Sequence, residues 1–252
     1  MKIFLRKGDC LDIMKEIPSG SVDAIITDPP YGTTACKWDS IIPFDDMWEQ
    51  LNRVIKFNGA TILFGGEPFS SALRMSNIDN FKYDWIWKKS QGVNFAQCNH
   101  MPMKNTEIIS CFGNFGLSKN AKTQPVYNPQ GLVDCEIVKN DSTYSEHRPN
   151  VQKRNYTVKK KGYPNQILEF KHQRGLHPTQ KPVPLMEYLI NTYTKKDEMV
   201  LDFTMGSAST GVACINTNRN FIGIEKNDKY FDIAVDRIKK LKEGEEFDLK
   251  VK

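Results

Sequence analysis

The chain has 252 residues, enough for one large domain or for one domain with a small insertion. Charged residues make up 26% and hydrophobic residues 39% of it, which is ordinary globular usage and excludes a disordered or fibrous protein. The net charge is a modest +5, but residues 119–174 carry 11 Lys and Arg against 5 Asp and Glu, so this stretch has a charge of +6 and the rest of the chain sums to −1. This basic block predicts a polyanionic partner.

The cysteine pattern and the apolar runs exclude several other classes. The six cysteines form no CxxC pair and no histidine cluster accompanies them, so no metal site is predicted. The first residues lack the apolar core of a signal peptide, and no uncharged apolar run reaches the roughly 18 residues of a membrane span. We therefore predict a protein without a membrane partner that keeps free thiols in a reducing compartment, the cytoplasm.

Apolar β-branched runs alternate with amphipathic helical runs at both ends of the chain. The strand candidates are Ile3–Leu5, Val22–Thr27, Ala60–Phe64, Trp85–Trp87, Ile108–Phe112, Val200–Phe203 and Phe221–Ile224. The helix candidates are Leu11–Ile17, Phe44–Ile55, Pro68–Met75, Val183–Thr194, Thr210–Asn216 and Lys229–Leu241. This order predicts an α/β protein with a mostly parallel sheet covered on both faces. Between residues 114 and 172 the rhythm stops, which predicts an inserted, partly irregular module.

The sharpest motif is Thr27-Asp28-Pro29-Pro30-Tyr31-Gly32, which directly follows an apolar run. Each proline fixes its own φ and holds the residue before it extended, so a rigid turn presents a carboxylate, a carbonyl and an aromatic ring at a strand end. The Asp28 carboxylate and the Pro29 carbonyl can accept both N–H bonds of an amino group on a heteroaromatic ring. They would pull its nitrogen toward a tetrahedral, nucleophilic geometry while Tyr31 stacks on the ring. The alternative is an ordinary turn after a strand.

A second strand–turn–helix motif is Val200-Leu201-Asp202-Phe203-Thr204-Met205-Gly206-Ser207-Ala208-Ser209-Thr210. Gly206 would let the backbone approach a ligand at the helix N-terminus. Glu225 ends the next apolar run, where nucleotide-binding sheets place the carboxylate that holds ribose hydroxyls. Because the GxGxxG of a pyrophosphate site is absent, the loop favours a nucleoside without phosphates, such as S-adenosylmethionine. A βα turn with a surface glutamate is the alternative.

Two weaker signals lie elsewhere in the chain. In His177-Pro178-Thr179-Gln180-Lys181-Pro182, Thr179 and Lys181 could present a hydroxyl and a cation to a carboxylate, such as the methionine end of that cofactor. A proline at a helix start and a nearby lysine are also ordinary features. Asp9 follows the first strand candidate and offers another carboxylate, or simply caps the next helix.

The order of these motifs resembles that of the β-class amino-methyltransferases of DNA. The chain contains, in sequence, TDPPYG, the Trp85-Ile86-Trp87-Lys88 segment, HPTQKP, LDFTMGSAST and FIGIEKN. In that family the catalytic half precedes the cofactor half, and the target-recognition region lies between them. The resemblance covers most of residues 3–240 and leaves residues 114–171 without matching motifs.

The resemblance assigns roles by position. It implies that Asp28, Pro29, Pro30 and Tyr31 form the catalytic tetrapeptide. It implies that S-adenosylmethionine is held by Asp9 and Cys10 at its adenine, by Thr179 and Lys181 at its amino-acid end, and by Asp28, Asp202, Thr204, Gly206, Ser207 and Glu225. The glycine loop of the family reads like DPFCGSGTT. Here Phe203 and Thr204 replace the Pro-Phe pair, and Ala208 replaces the second glycine at the start of a helix, which alanine tolerates.

The resemblance also implies an architecture. We expect a Rossmann-like, mostly parallel seven-stranded methyltransferase sheet with helices on both faces and a small inserted target-recognition region. Residues 1–113 would form the catalytic half, residues 114–172 the insertion, residues 173–242 the cofactor half and residues 243–252 a charged, frayed tail.

The implied activity is site-specific transfer of a methyl group from S-adenosylmethionine to the N6 amino group of an adenine flipped out of double-stranded DNA. It would need no metal, in a bacterial, phage or prophage protein for which a homodimer is one option. Asp before Pro-Pro-Tyr favours adenine; cytosine N4 and a non-catalytic DNA-binding relative are the alternatives. The basic residues of the insertion that would neutralise phosphates are Arg148, Lys153, Arg154, Lys159, Lys160 and Lys161.

Overall fold

The computed structural model describes residues 1–33, 39–141, 154–173, 175–176, 178–241 and 248–251. The chain forms two compact units, one of Met1–Asn128 with Gln166–Lys252 and one of Pro129–Asn165. Each unit has its own sheet, with nine strands in the first and two in the second.

The elements follow the alternation seen in the sequence. The strands are β1 (Ile3–Lys7), β2 (Val22–Thr27), β3 (Ile55–Gly65), β4 (Phe81–Val93), β5 (Lys104–Phe112), β6 (Val133–Asp141), β7 (Arg154–Lys161), β8 (Ile167–Glu169), β9 (Met199–Asp202), β10 (Asn220–Glu225) and β11 (Asp248–Val251). The α-helices are α1 (Cys10–Met14), α2 (Phe44–Val54), α3 (Phe69–Met75), α4 (Val183–Tyr193), α5 (Ser209–Asn216) and α6 (Asp228–Leu241). The seven predicted strands and six predicted helices are confirmed, with ends shifted by a few residues.

The large sheet has the order β11-β1-β10-β9-β2-β3-β5-β4-β8. Its pairs are parallel except for β5, which runs antiparallel to both β3 and β4. The central strand β2 pairs with β9 through Ala24 opposite Val200, and β9 pairs with β10 through Asp202 opposite Gly223. The carboxyl ends of β1, β2, β9 and β10 therefore lie along one edge of the sheet.

Helices cover both faces of this sheet, as predicted. Successive side chains of a strand point to opposite faces, and β2 shows the consequence. Its Ala24 and Ile26 are buried with α4, α5 and α6, whereas Ile25 is buried with α1, α2 and α3. Both sides of the central strand are apolar because both are covered, which is typical of parallel sheets.

Two short strands of the large sheet, β8 and β11, come in addition to the seven that were expected. β8 lies inside the segment predicted to be an insertion, and it pairs with β4 through Leu168, which is buried. β11 lies in the segment predicted to be a frayed tail, and it pairs with the outer edge of β1. Three or four residues are too few to show a period, and charged sequences are common on edge strands, so neither strand has a clear signal in the sequence.

The second unit is smaller than the predicted insertion. It comprises residues 129–165 rather than 114–172, because Phe115 and Leu168 are buried in the core of the first unit. Within it β6 and β7 form an antiparallel pair. The chain is fixed to the first unit just outside both ends: the Asn128 N–H donates to the Thr192 carbonyl at 2.7 Å, and the Ile86 N–H donates to the Gln166 carbonyl at 2.9 Å.

Among the residues described, no helix has both the length and the apolar character that crossing a membrane requires.

Candidate active site

The carboxyl edge of the large sheet encloses a cavity of about 920 Å³. Every residue to which the sequence assigned a catalytic or cofactor role lines this cavity. They are Asp9, Cys10, Asp28, Pro29, Pro30, Tyr31, Thr179, Lys181, Asp202, Thr204, Gly206, Ser207 and Glu225. Residues more than 200 positions apart in the chain, such as Asp9 and Glu225, therefore share one site, because parallel strands deliver their carboxyl ends to the same edge.

The Asp28 carboxylate, in the turn after β2, is contacted on both of its oxygens. The Tyr31 hydroxyl donates to Oδ1, and the Lys181 ammonium contacts Oδ2 at 2.5 Å. The backbone carbonyl of Asp28 accepts the Thr204 hydroxyl at 3.0 Å, which ties the turn to the loop after β9. Burial raises the pKa of Asp28, while the neighbouring Lys181 opposes that shift.

Tyr31 links the turn to a strand that the sequence did not assign to the site. Its hydroxyl lies 3.0 Å from Glu107 Oε1 on β5, and its ring stacks on Phe69 with centroids 5.0 Å apart. One face of the Tyr31 ring is therefore covered by the protein.

Glu107 and two lysines complete a buried charge cluster with Asp28. Lys181 Nζ lies 2.7 Å from Glu107 Oε1, and Lys89 Nζ lies 2.7 Å from Glu107 Oε2. Burial by itself would raise the pKa of Glu107, but the two ammonium groups lower it to about 2. The two carboxylates likewise raise the pKa of Lys181 against the effect of burial. We refer to Asp28, Glu107, Lys89 and Lys181 as the charge cluster.

Sequence reasoning missed Glu107 and Lys89, although a signal for both exists. Along β4 the residues Trp85, Trp87 and Lys89 share one face, and the first two are buried. Glu107 lies directly opposite Trp87 on β5 and begins a stretch in which buried residues predominate. Period-two reading would thus have placed both charges on a buried face, where they require partners.

Asp202 at the end of β9 is a buried carboxylate held by hydroxyls. Its Oδ1 accepts the Thr27 hydroxyl at 3.0 Å and its Oδ2 accepts the Thr210 hydroxyl at 2.5 Å. Burial raises its pKa to about 7, against the effect of these hydrogen bonds. Asp202 therefore fastens β2, the loop after β9 and α5 together at the floor of the cavity.

Glu225 holds the same loop from the end of β10. Its Oε2 accepts the Gly206 N–H at 2.9 Å and its Oε1 accepts the Asn227 N–H at 2.7 Å. Gly206 has φ +52°, which glycine reaches without steric cost. Because each carboxylate oxygen has further lone pairs, Glu225 can also accept hydroxyl donors from the cavity.

Ala208 adopts a conformation that the sequence did not predict. It precedes α5 with φ +57° and ψ 42°, a left-handed geometry that costs alanine about 1–2 kcal/mol. Its side chain is fully buried, and burying one methyl group stabilises the fold by about 0.8 kcal/mol. Replacement of the family's glycine is therefore tolerated at a net cost of about 1 kcal/mol or less, although not for the reason expected.

Other predicted cofactor residues line the cavity and also contact neighbouring protein groups. Asp9 caps α1 by accepting the Leu11 N–H at 3.0 Å and also contacts Lys226. Burial raises the pKa of the Cys10 thiol to about 12, so this thiol stays neutral at ordinary pH. The backbone carbonyl of Ser207 accepts the Arg237 guanidinium at 2.9 Å.

The predicted phosphate-binding residues belong to the second unit, residues 129–165. Lys159, Lys160 and Lys161 are exposed on β7, and Arg154 begins that strand. Arg148 and Lys153 lie outside the described residues, and so does His177, the first residue of the HPTQKP motif. In the described part of the chain, no three His, Cys, Asp or Glu side chains are grouped so that they could hold a metal ion.

The polar groups that line the cavity fit S-adenosylmethionine. Glu225 keeps acceptor capacity that would suit ribose hydroxyls, Gly206 lines the cavity before the start of α5, and the cavity continues to the Asp28 turn. An Asp-Pro-Pro-Tyr turn and a carboxylate that keeps acceptor capacity, both lining one cavity at the carboxyl edge of a parallel sheet, are typical of an S-adenosylmethionine-dependent methyltransferase.

The chain belongs to the DNA methylase family, whose sequence model matches residues 22–236. It is 27% identical to the DNA adenine methyltransferase YhdJ of Escherichia coli K12, over 92% of this chain and 81% of that protein. Its cofactor is S-adenosylmethionine, as in the solved complex of M1.HpyAVI with SAM, which it matches with a TM-score of 0.62 and 26% identity over 93% of this chain and 99% of that one.

A third protein is similar to this chain in fold alone. The cytosine-N4-specific PvuII DNA methyltransferase superposes with a TM-score of 0.68 at 14% identity, covering 98% of this chain and 95% of that one. The fold is thus shared with an enzyme whose target base differs from that of YhdJ.

Proposed function

We propose that this DNA methyltransferase acts on the N6 amino group of adenine in double-stranded DNA. The observation that carries the proposal is the Asp28 turn, which faces the same cavity as Glu225. An aspartate before Pro-Pro-Tyr and the similarity to an adenine methyltransferase support adenine as the target.

The catalytic role of the turn follows from its acceptors. The Asp28 carboxylate and the Pro29 carbonyl accept the two N–H bonds of the amino group and draw its lone pair out of conjugation with the ring. When bound, S-adenosylmethionine would supply the methyl group. The electron pair of the carbon–sulfur bond would stay on sulfur as the bond to nitrogen forms. The nitrogen then carries a positive charge and releases one proton, for which Asp28 is the adjacent base.

A flipped base has to enter this cavity from the duplex. Pro30 and Tyr31 form part of the wall beside Asp28. The Tyr31 ring is itself fixed by Phe69, so it offers a rigid apolar edge. Rigid placement matters because an orientation error of about 1 Å can cost roughly a hundredfold in rate.

The target base is tested by mapping modified bases in DNA from cells that express the protein and have no methylation of their own. We expect N6-methyladenine at one short sequence. N4-methylcytosine at a defined sequence would instead identify a cytosine enzyme of the same family. Unmodified DNA, together with no heat of S-adenosylmethionine binding in calorimetry, would identify a non-catalytic relative.

We propose that the basic strand β7 in residues 129–165 contacts DNA phosphates. Each phosphate contact adds about 0.9 to the slope of log affinity against log salt. Replacing Lys159, Lys160 and Lys161 by Ala should weaken binding to all duplex sequences and flatten the slope by about one to three units. The measurement is duplex affinity over a salt series, with S-adenosylmethionine affinity expected to stay unchanged.

A matched variant separates this local effect from a general loss of positive charge. Lys2, Lys195 and Lys196 are also exposed, and they lie before the starts of β1 and β9, at the edge opposite the cavity. Their triple replacement by Ala makes the same change in net charge and should leave the slope within error of the wild type. A wild-type slope in the β7 variant would show that these three lysines make no phosphate contacts.

A further inference from the structure

We propose that Glu107 is a positioning residue that holds the Lys181 ammonium between two carboxylates and so leaves Asp28 free to accept the target amino group. The inference rests on the proposed function of Asp28 and deepens it. Neither Glu107 nor Lys89 belongs to the motifs by which the site was recognised in the sequence.

The Lys181 ammonium is divided between two carboxylates. It lies 2.5 Å from Asp28 Oδ2 and 2.7 Å from Glu107 Oε1. The side chains of Lys181 and Glu107 are each only 8% exposed, so water screens these contacts weakly. Competition between two anions at such distances weakens the hold of the cation on either one.

Glu107 is itself held in place from both sides. Lys89 approaches its second oxygen at 2.7 Å and also lies 5.0 Å above the Trp87 ring. The Tyr31 hydroxyl contacts both Glu107 and Asp28. These contacts fix the distance between the two carboxylates. They thereby also set how strongly the Lys181 ammonium interacts with each of them.

The cluster contains as many ammonium groups as carboxylates, so its formal charge is zero. Without the Glu107 charge, the Lys181 ammonium would pair with Asp28 alone and would compete with the amino group for the same oxygens. Without the Lys181 charge, two neighbouring carboxylates would repel each other and one would take up a proton. Sharing one cation between both carboxylates keeps Asp28 ionised and still able to accept hydrogen bonds.

Stability alone does not account for this arrangement. Desolvating a group of buried charges often costs as much as their attraction contributes, and apolar residues of equal volume are frequently as stable. Because the cluster includes the proposed catalytic carboxylate Asp28, its other three members can set the charge state of Asp28.

The test uses two variants that shift the activity profile in opposite directions. The groups facing Asp28 and Glu107 are Lys181 before α4, Lys89 on β4 and Tyr31 after β2, and Asp202 lies beyond them. The single-turnover rate should fall on the acidic side of its pH profile, where Asp28 takes up a proton, and we call this fall the acidic limb. Glu107→Gln removes a like charge beside Asp28, so the acidic limb should move to lower pH. Lys181→Met removes the cation, so the same limb should move to higher pH. We expect each shift to be about one pH unit or more.

The rate at the plateau gives a second measure. Glu107→Gln should turn over about tenfold more slowly than the wild type, and Glu107→Asp, which keeps the charge, should recover part of that loss. S-adenosylmethionine affinity measured by calorimetry should stay within about twofold for Glu107→Gln. A purely structural role would lower the rate at every pH without moving the limb.

Glu169→Gln is the matched control. Glu169 pairs with Lys88 at 2.9 Å beside the same strand β4, but on the surface, and its replacement should change neither rate nor profile. If Glu107→Gln does not fold, Lys89→Gln tests the same arrangement, since Glu107 would then draw Lys181 away from Asp28 and the limb should move to higher pH. Limbs that stay in place, or that move together in Glu107→Gln and Lys181→Met, overturn the inference. A wild-type protein that modifies no adenine would instead refute the proposed function.

Discussion

Asp28→Ala is expected to lower turnover by at least about a hundredfold, equivalent to about 3 kcal/mol of transition-state stabilisation. The variant loses the acceptor that draws the amino lone pair out of conjugation and the base nearest to the departing proton. Folding should persist because Lys181 keeps Glu107 as a partner at 2.7 Å. The measurement is the single-turnover rate with saturating DNA and cofactor, supported by thermal unfolding.

Asp23→Ala provides the comparison on the same strand. Asp23 lies near the start of β2, where it also pairs with a lysine, Lys56, at 2.5 Å. Its replacement removes an aspartate–lysine ion pair, here a more exposed one, at the other end of the strand and should leave turnover within about twofold of the wild type. An Asp28→Ala enzyme with full activity would rule out the proposed role of the turn.

Glu225→Ala is expected to weaken S-adenosylmethionine binding by about 1.5–3 kcal/mol, the usual loss for hydrogen bonds to a charged group. The variant also releases the Gly206 and Asn227 N–H groups that Glu225 holds. Alanine is preferable to glutamine here, because an amide nitrogen would face one of these backbone donors. Titration calorimetry gives the cofactor affinity, and duplex affinity without cofactor should barely change.

Glu198→Ala is the corresponding control for the loss of a glutamate that holds backbone. Glu198 accepts the Lys195 N–H at 2.7 Å before β9, at the opposite edge of the sheet. It should leave cofactor affinity unchanged. If Glu225→Ala binds the cofactor as tightly as the wild type does, Glu225 serves only to fasten the loop.

The elements that line the cavity could be predicted because each has a local signal. Apolar runs that end in Asp28, Asp202 and Glu225 place three carboxylates at strand ends, and parallel strands bring such ends together. The meeting of Tyr31 with Glu107 has no such signal. It depends on the register of β5 between β3 and β4, which is set by pairing across dozens of residues rather than by local sequence.

Conformation and edge pairing were also beyond local reasoning. The alanine at 208 gives no sign of its positive φ, which the hydrogen bonds of the surrounding loop impose. β11 depends on an open edge of β1, and a charged sequence of four residues cannot reveal that edge. The sequence signals therefore identified the cavity residues that lie at strand ends and in motifs, whereas Glu107, Lys89 and their charge contacts became visible only in three dimensions.

The way the chain enters and leaves residues 129–165 bears on how far the length of this segment can vary. Both flanking residues, Asn128 and Gln166, are fastened within the first unit by backbone hydrogen bonds, so the two ends of the segment between them are fixed. The entropy of closing a loop between fixed ends grows only slowly with its length, by about 0.6 kcal/mol for each doubling. Segments of different length can thus connect these two points at a small cost in free energy.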